Sequence, residues 1–193
     1  MRHTRAKWAQ PRPRKTLCFF SSPPPTTCAT AAVCCYPLEL GWCINEVELG
    51  VVIGKGGKDI AESTSMDHIA GYALAIDMTA RNLQAKAKKA GLPWAHAKGL
   101  DTFTPISDFI PKSAVPSPHD LNLWLKVGDE LRQNGYTGDM VHNIPFLISY
   151  VSRIMTLEEG DLLITGTPEG VLTAGITGLT DVRFRVETRV YQA

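Results

Sequence analysis

No aspartate or glutamate occurs before Glu39, and no cysteine occurs after Cys43. No apolar run approaches the ~20 residues that a membrane-spanning helix requires, and no internal repeat is visible. The acid-free stretch carries Arg2, Arg5, Lys7, Arg12, Arg14 and Lys15. The rest of the chain therefore holds 14 of the 20 Lys and Arg against all 19 Asp and Glu, a net −5 concealed by a formal total of +1. A body of that sign offers no electrostatic grip on nucleic acid, and nothing in the pattern calls for a membrane. The five cysteines (Cys18, Cys28, Cys34, Cys35 and Cys43) crowd into one end, whereas a secreted disulfide framework distributes them through the fold. No histidine stands near them at zinc-finger spacing. These features lead us to expect a reduced, intracellular protein.

What is present divides into two regions. Residues 1–43 are rich in Arg, Ser, Thr, Pro and Ala, lack apolar periodicity, and contain Pro23-Pro24-Pro25, which forbids a helix there. This composition suits either a disordered leader without an address or an organelle transit peptide, since those are Arg- and Ser-rich and poor in acids. Mitochondrial targeting is the first expectation and a cytoplasmic location the alternative. Residues 44–193 read as a domain of short strands with few helices, an α+β class dominated by sheet. Val47–Ile53 is a β-rich run closed by Gly54-Lys55-Gly56-Gly57, and Ala70–Met78 is a second run of strand length. Thr79–Ala90 has helical propensity, with Gly91 as a stop and Pro93 beyond it. Leu123–Val127 and Glu130–Gln133 flank Gly128-Asp129 as a hairpin. Apolar residues at 144, 147, 148, 151, 154 and 155 mark a helical face that Asn143 is placed to cap. Asp161–Thr165 and Val182–Glu187 are further strands.

The chemistry concentrates in four places. In Asn45-Glu46-Val47-Glu48-Leu49, a strand would point Glu46 and Glu48 to one face and Val47 and Leu49 to the other. Two neighbouring carboxylates repel unless a cation or water separates them, and a hard divalent ion favours carboxylate oxygen; solvated glutamates on an edge strand are the alternative. Asp77 stands between an apolar strand and a helix. It is either a helix cap or a third carboxylate that completes a facial set with open positions. Arg81 and Gln84 share one helix face and suit a carboxylate ligand, or else are an exposed surface pair. Lys98, in a Gly/Ala-rich loop, could stabilise an enolate or carboxylate, or simply be solvated. The glycines of Thr165-Gly166-Thr167-Pro168-Glu169-Gly170 permit close backbone approach to a ligand, and Thr167 adds a hydroxyl and an N–H; a tight loop without a ligand is the other reading.

Taken in order, Glu46-x-Glu48, Asp77-x-x-x-Arg81-x-x-Gln84, the Lys98 loop and Gly166-Thr167-Pro168-x-Gly170-Val171 resemble the fumarylacetoacetate hydrolase superfamily. Within it the chain is most similar to the acylpyruvase and oxaloacetate decarboxylase subgroup. That likeness extends through Gly71-Tyr72-Ala73-Leu74, Gly91-Leu92-Pro93-Trp94, Leu123–Val127 and Ile154–Asp161, and it spans about residues 45–188. The resemblance implies a mixed β-roll, a Mg²⁺ or Mn²⁺ ion and a homodimer. It implies Glu46, Glu48 and Asp77 as metal ligands, Lys98 as a catalytic residue, and Arg81, Gln84 and Thr167 as substrate-binding residues. The implied activity is metal-dependent hydrolysis or decarboxylation of acylpyruvates (2,4-dioxo acids) or oxaloacetate through a stabilised enolate. A keto–enol isomerase of oxaloacetate or a hydroxymuconate, and a non-catalytic dimerisation fragment, are the alternatives.

Two departures bear on that expectation. Residues 1–43 show no Arg-Asn-Tyr element and no lid carrying a His–Glu pair, the pair that would activate water. After Gly170-Val171 the chain continues with Leu172-Thr173-Ala174-Gly175 instead of a Gly-Pro element. The expectation is therefore an incomplete catalytic domain that keeps its metal site but hydrolyses acylpyruvates weakly, since general-base help is worth ~10²–10⁴-fold.

Overall fold

The computed structural model describes residues 46–126 and 129–166 with their side chains. It also describes the backbone of Val127 and of the strands at 16–18, 27–28, 33–37, 43–45, 174–176, 180–182 and 185–189. The longest elements are two antiparallel strands, β4 (Cys43–Ile53) and β5 (Ile69–Ala80). They lie at the centre of a five-stranded sheet in the order β1-β10-β4-β5-β7, with β1 at Thr16–Cys18, β7 at Ile110–Pro111 and β10 at Leu162–Ile164. A second sheet has the order β12-β11-β8-β9, with β8 at Asn122–Val127, β9 at Glu130–Tyr136, β11 at Ala174–Ile176 and β12 at Thr180–Val182. Two further pairs are parallel: β2 (Thr27–Cys28) with β6 (Thr104–Pro105), and β3 (Val33–Pro37) with β13 (Arg185–Arg189). Three short strands thus fall within residues 1–43, the stretch expected to be a leader.

Alternation along β4 and β5 creates two different faces. Val47, Leu49, Val51 and Ile53 join Tyr72, Leu74, Ile76 and Met78 in the main core, together with Leu123 and Leu125 of β8 and one face of helix α4 (Ile144–Ile154). Most of these side chains are fully buried, and each contributes roughly 1.5–3 kcal/mol relative to exposure. The opposite face carries a smaller cluster, Val52, Ala73, Ala75, Leu162 and Ile164. Its small residues let β10 approach: a Cβ on Gly50 would stand 2.8 Å from Leu162 Cδ1 and 3.1 Å from the Ala73 carbonyl oxygen.

Among the described residues the α-helices are few and short. In chain order they are α1 (Glu62–Ser65), α2 (Arg81–Ala90), α3 (Ala95–Lys98) and α4. Helix α2 ends as expected, with Gly91 left-handed at φ +66°, its N–H and that of Leu92 returning to the last turn. It begins two residues later than propensity suggests, because β4 holds Thr79 and Ala80 in the sheet opposite Ile44 and Cys43. Asn143 Oδ1 accepts the Phe146 N–H at 2.9 Å, the expected cap of α4. Strands β8 and β9 pair as the expected hairpin, with Val127 opposite Glu130. The strand expected at Val182–Glu187 is instead divided between β12 and β13. The architecture is α+β and sheet-dominated.

Candidate metal centre

The second face of β4 and β5 turns from apolar to acidic at one end. The register sets Glu46 directly opposite Asp77 and Glu48 opposite Ala75. Glu46, Glu48 and Asp77 therefore share a face, and each offers a carboxylate oxygen within 4.8 Å of the others. Glu46 is half-buried, while Glu48 and Asp77 are only 4% and 3% exposed. The reading of Asp77 as a helix cap does not hold. Asp77 lies inside β5 with three strand residues after it, and Ala80 occupies the cap position of α2 without a side-chain bond.

The surrounding groups divide the burden of this charge. Lys98, 3% exposed, forms an ion pair with Asp77 Oδ2. It sits at the end of the one-turn helix α3 rather than in a loop, and the turn aims it back at β5. Gly166 donates its backbone N–H to Glu48 Oε2 at 2.8 Å, and its left-handed φ of +87° makes that approach possible. Thr165 anchors the same segment, its hydroxyl donating to the Leu49 carbonyl at 3.0 Å. Thr167 lies outside the described residues. Arg81 and Gln84 are brought together on the first turn of α2, with the exposed Arg81 donating from Nη1 to Gln84 Oε1 at 2.7 Å.

Burial and mutual repulsion leave their mark on acidity. Glu48 is pushed up from 4.5 to about 8, first by burial and then by Asp77, against the opposing pull of the Gly166 N–H and Lys98. Asp77 is also raised, again first by burial, with Lys98 opposing. Asp77 Oδ1 is buried and has no hydrogen-bond partner among the described residues. A buried carboxylate with an orphaned oxygen, clustered with two other carboxylates, is chemically satisfied by a hard divalent cation, and an all-oxygen donor set selects the Mg²⁺, Mn²⁺ and Ca²⁺ class. The residues fit such an ion.

One supporting residue gave no sequence signal. Gln133 of β9, 2% exposed, accepts the Val47 N–H through Oε1 at 3.3 Å, which ties the backbone between Glu46 and Glu48 to the second sheet. Its strand is mostly exposed and polar, so no apolar alternation marked position 133 as inward.

The fold is sheet-dominated and carries three clustered carboxylates on two central strands, and comparison with known proteins gives the family. The profile described as fumarylacetoacetate (FAA) hydrolase C-terminal matches residues 2–190, and the chain belongs to that family. It is 59% identical over 154 residues to oxaloacetate tautomerase FAHD1, mitochondrial, of Arabidopsis thaliana, covering 76% of this chain and 69% of that one. It is 53% identical over 155 residues to the Mus musculus protein of the same name, covering 76% and 70%. Among solved structures it is similar to fumarylpyruvate hydrolase from Pseudomonas aeruginosa in complex with Mn²⁺ and pyruvate. The TM-score there is 0.83 at 34% identity, over 88% of this chain and 78% of that one. These relatives are enzymes.

Proposed function

We propose that this chain is a divalent-metal-dependent enzyme of small 2-oxo acids, interconverting the keto and enol forms of oxaloacetate. The observation that carries the reading is the Glu46, Glu48 and Asp77 cradle with its unpartnered Asp77 Oδ1 and buried Lys98. Those three carboxylates would hold Mg²⁺ or Mn²⁺. When bound, the cation supplies Lewis acidity that lowers the cost of placing negative charge on the 2-oxo oxygen of the acid. Lys98, held against Asp77, adds positive potential beside that oxygen and offers Nζ as a group that can carry a proton. Arg81, released from Gln84, supplies a guanidinium for the distal carboxylate, and Gln84 an amide. Thr167 is assigned to substrate binding by the family resemblance.

Tautomerisation is favoured over C–C cleavage for two reasons. The relatives named as oxaloacetate tautomerases share 51–60% identity with this chain, whereas the fumarylpyruvate hydrolase shares 34%. Tautomerisation also needs only proton transfer at carbon, without an activated water, and Lys98 Nζ is held beside Asp77 as a group that can carry that proton. Hydrolysis or decarboxylation of acylpyruvates and oxaloacetate is the second reading, supported by the hydrolase structure bound to Mn²⁺ and pyruvate. A mitochondrial location follows the names of the relatives. We take residues 44–193 as the main body of the catalytic domain, to which the short strands within residues 1–43 add pairing, and a homodimer as the working assembly.

The test follows enol decay of oxaloacetate spectroscopically while pyruvate and CO₂ are assayed in parallel. Enol–keto exchange that is lost on chelation and restored by Mn²⁺ supports the reading. Exchange that is indifferent to chelation overturns it, and pyruvate release matching enol consumption moves the assignment to decarboxylation.

A further inference from the structure

The segment 103–107 runs antiparallel to β5 in one constant register. The Met78 N–H donates to the Phe103 carbonyl at 3.0 Å, the Ser107 N–H to the Leu74 carbonyl at 2.8 Å, and Ala75 forms a bridge with Ile106. These three relations place Thr104 directly across from Asp77, at a non-hydrogen-bonded position where opposing side chains come closest. The packing agrees. Phe103 lies in the main core with Met78, and Ile106 packs on the other cluster with Ala75, so Thr104 shares the face of Asp77. Since Asp77 in turn faces Glu46, Glu46, Asp77 and Thr104 form one row across three strands.

Thr104 is 0% exposed, and its hydroxyl has no hydrogen-bond partner among the described residues. Neither has Oδ1 of Asp77, the residue opposite it in the register. Buried polar atoms are nearly always paired, and here two neighbours on one row are both unsatisfied. Valine would fill the same volume without that cost, so packing alone gives no reason for a hydroxyl at this position.

We propose that Thr104 is a further residue of the site, its hydroxyl holding an oxygen ligand beside Asp77. That oxygen is either water carried with the cation or a carboxylate oxygen of the bound acid. The proposal rests on the metal reading given above.

The experiment compares wild type, Thr104→Val, Thr104→Ser and Glu48→Ala by thermal unfolding without metal and by calorimetric titration of Mn²⁺ with and without oxalate. Thr104→Val melts at or above wild type without metal, because it loses an unpaired group, yet binds about tenfold more weakly; Thr104→Ser retains wild-type affinity. Weakening with Mn²⁺ alone assigns the water, and weakening only with oxalate present assigns the acid. If the valine variant fails to fold, Thr104→Ala measured against Thr104→Ser carries the same comparison. Unchanged Mn²⁺ and oxalate binding in a folded Thr104→Val, or a metal-free melt well below wild type, overturns the proposal while leaving the metal site standing. Wild type that binds no Mn²⁺, like Glu48→Ala, overturns both.

Discussion

Glu48 concentrates the physics of the site in one side chain. Its carboxyl is buried, faces Asp77 and holds its proton to about pH 8. A cation must displace that proton, so Mn²⁺ affinity falls as pH drops below about 8, by about tenfold per unit for one proton released. Titration in buffers of different ionisation enthalpy measures the release directly, and affinity that is flat with pH contradicts the assignment. The same shift acts on the metal-free fold. Because the folded value lies above the unfolded 4.5, the stability Glu48 contributes is complete below 4.5 and is lost as pH rises toward 8. Glu48→Gln therefore makes the metal-free protein more stable above about pH 8 while abolishing metal binding. Denaturant melts at high pH check the first effect. The pairing of Glu46 with Glu48 was legible in the sequence, because period-two alternation needs only a strand. The depth of Glu48's burial was not, since the Gly166 segment that bonds it comes from more than a hundred residues away.

Among the elements, α4 shows how local signals and distant partners combine. Asn143 was readable as its cap. The second N-terminal acceptor was not: His119 Nε2 accepts the Ile144 N–H at 3.0 Å from 25 residues upstream. Asn143→Ala costs about 1 kcal/mol. His119→Ala costs a similar amount at neutral pH, about 1 kcal/mol, because it strands a buried donor. Burial holds His119 below its ordinary 6.5, so the unfolded chain takes up a proton first. The stability carried by this acceptor is present above 6.5 and drains away as pH falls below it. In the alanine variant, urea melts at neutral and mildly acid pH should differ less than they do in wild type. Strand β5 supplies another case. A Cβ on Gly71 would overlap the Ile110 carbonyl oxygen and press on the Phe109 ring at 2.6 Å. Gly71→Ala therefore forces β7 from β5 and lowers the melting temperature. The two-residue strands β6 and β7 escaped sequence reading for a simple reason: two residues have no period. The early end assigned to β5 has a different cause, since cross-strand pairing with Cys43 and Ile44 overrode the helix propensity of Thr79 and Ala80.

At the scale of the molecule, the acidic body, the sheet-dominated fold and the ordered Glu46, Glu48, Asp77, Lys98 and Gly166 constellation agree with membership of the fumarylacetoacetate hydrolase family. The motif order was legible because each piece sits on or beside a long, regular strand. The assembly was not, because the two sheets meet through residues such as Gln133 and Leu125 whose partners no local pattern reveals. The central claim is that three carboxylates on β4 and β5 hold a divalent cation for an oxo acid. Calorimetric titration of Mn²⁺ into the purified chain in the presence of oxalate, beside the variant Asp77→Asn, tests it most directly. The account predicts saturable binding at one ion per chain that oxalate strengthens and the variant loses. Binding that survives in Asp77→Asn, or none in a folded wild-type protein, would contradict it.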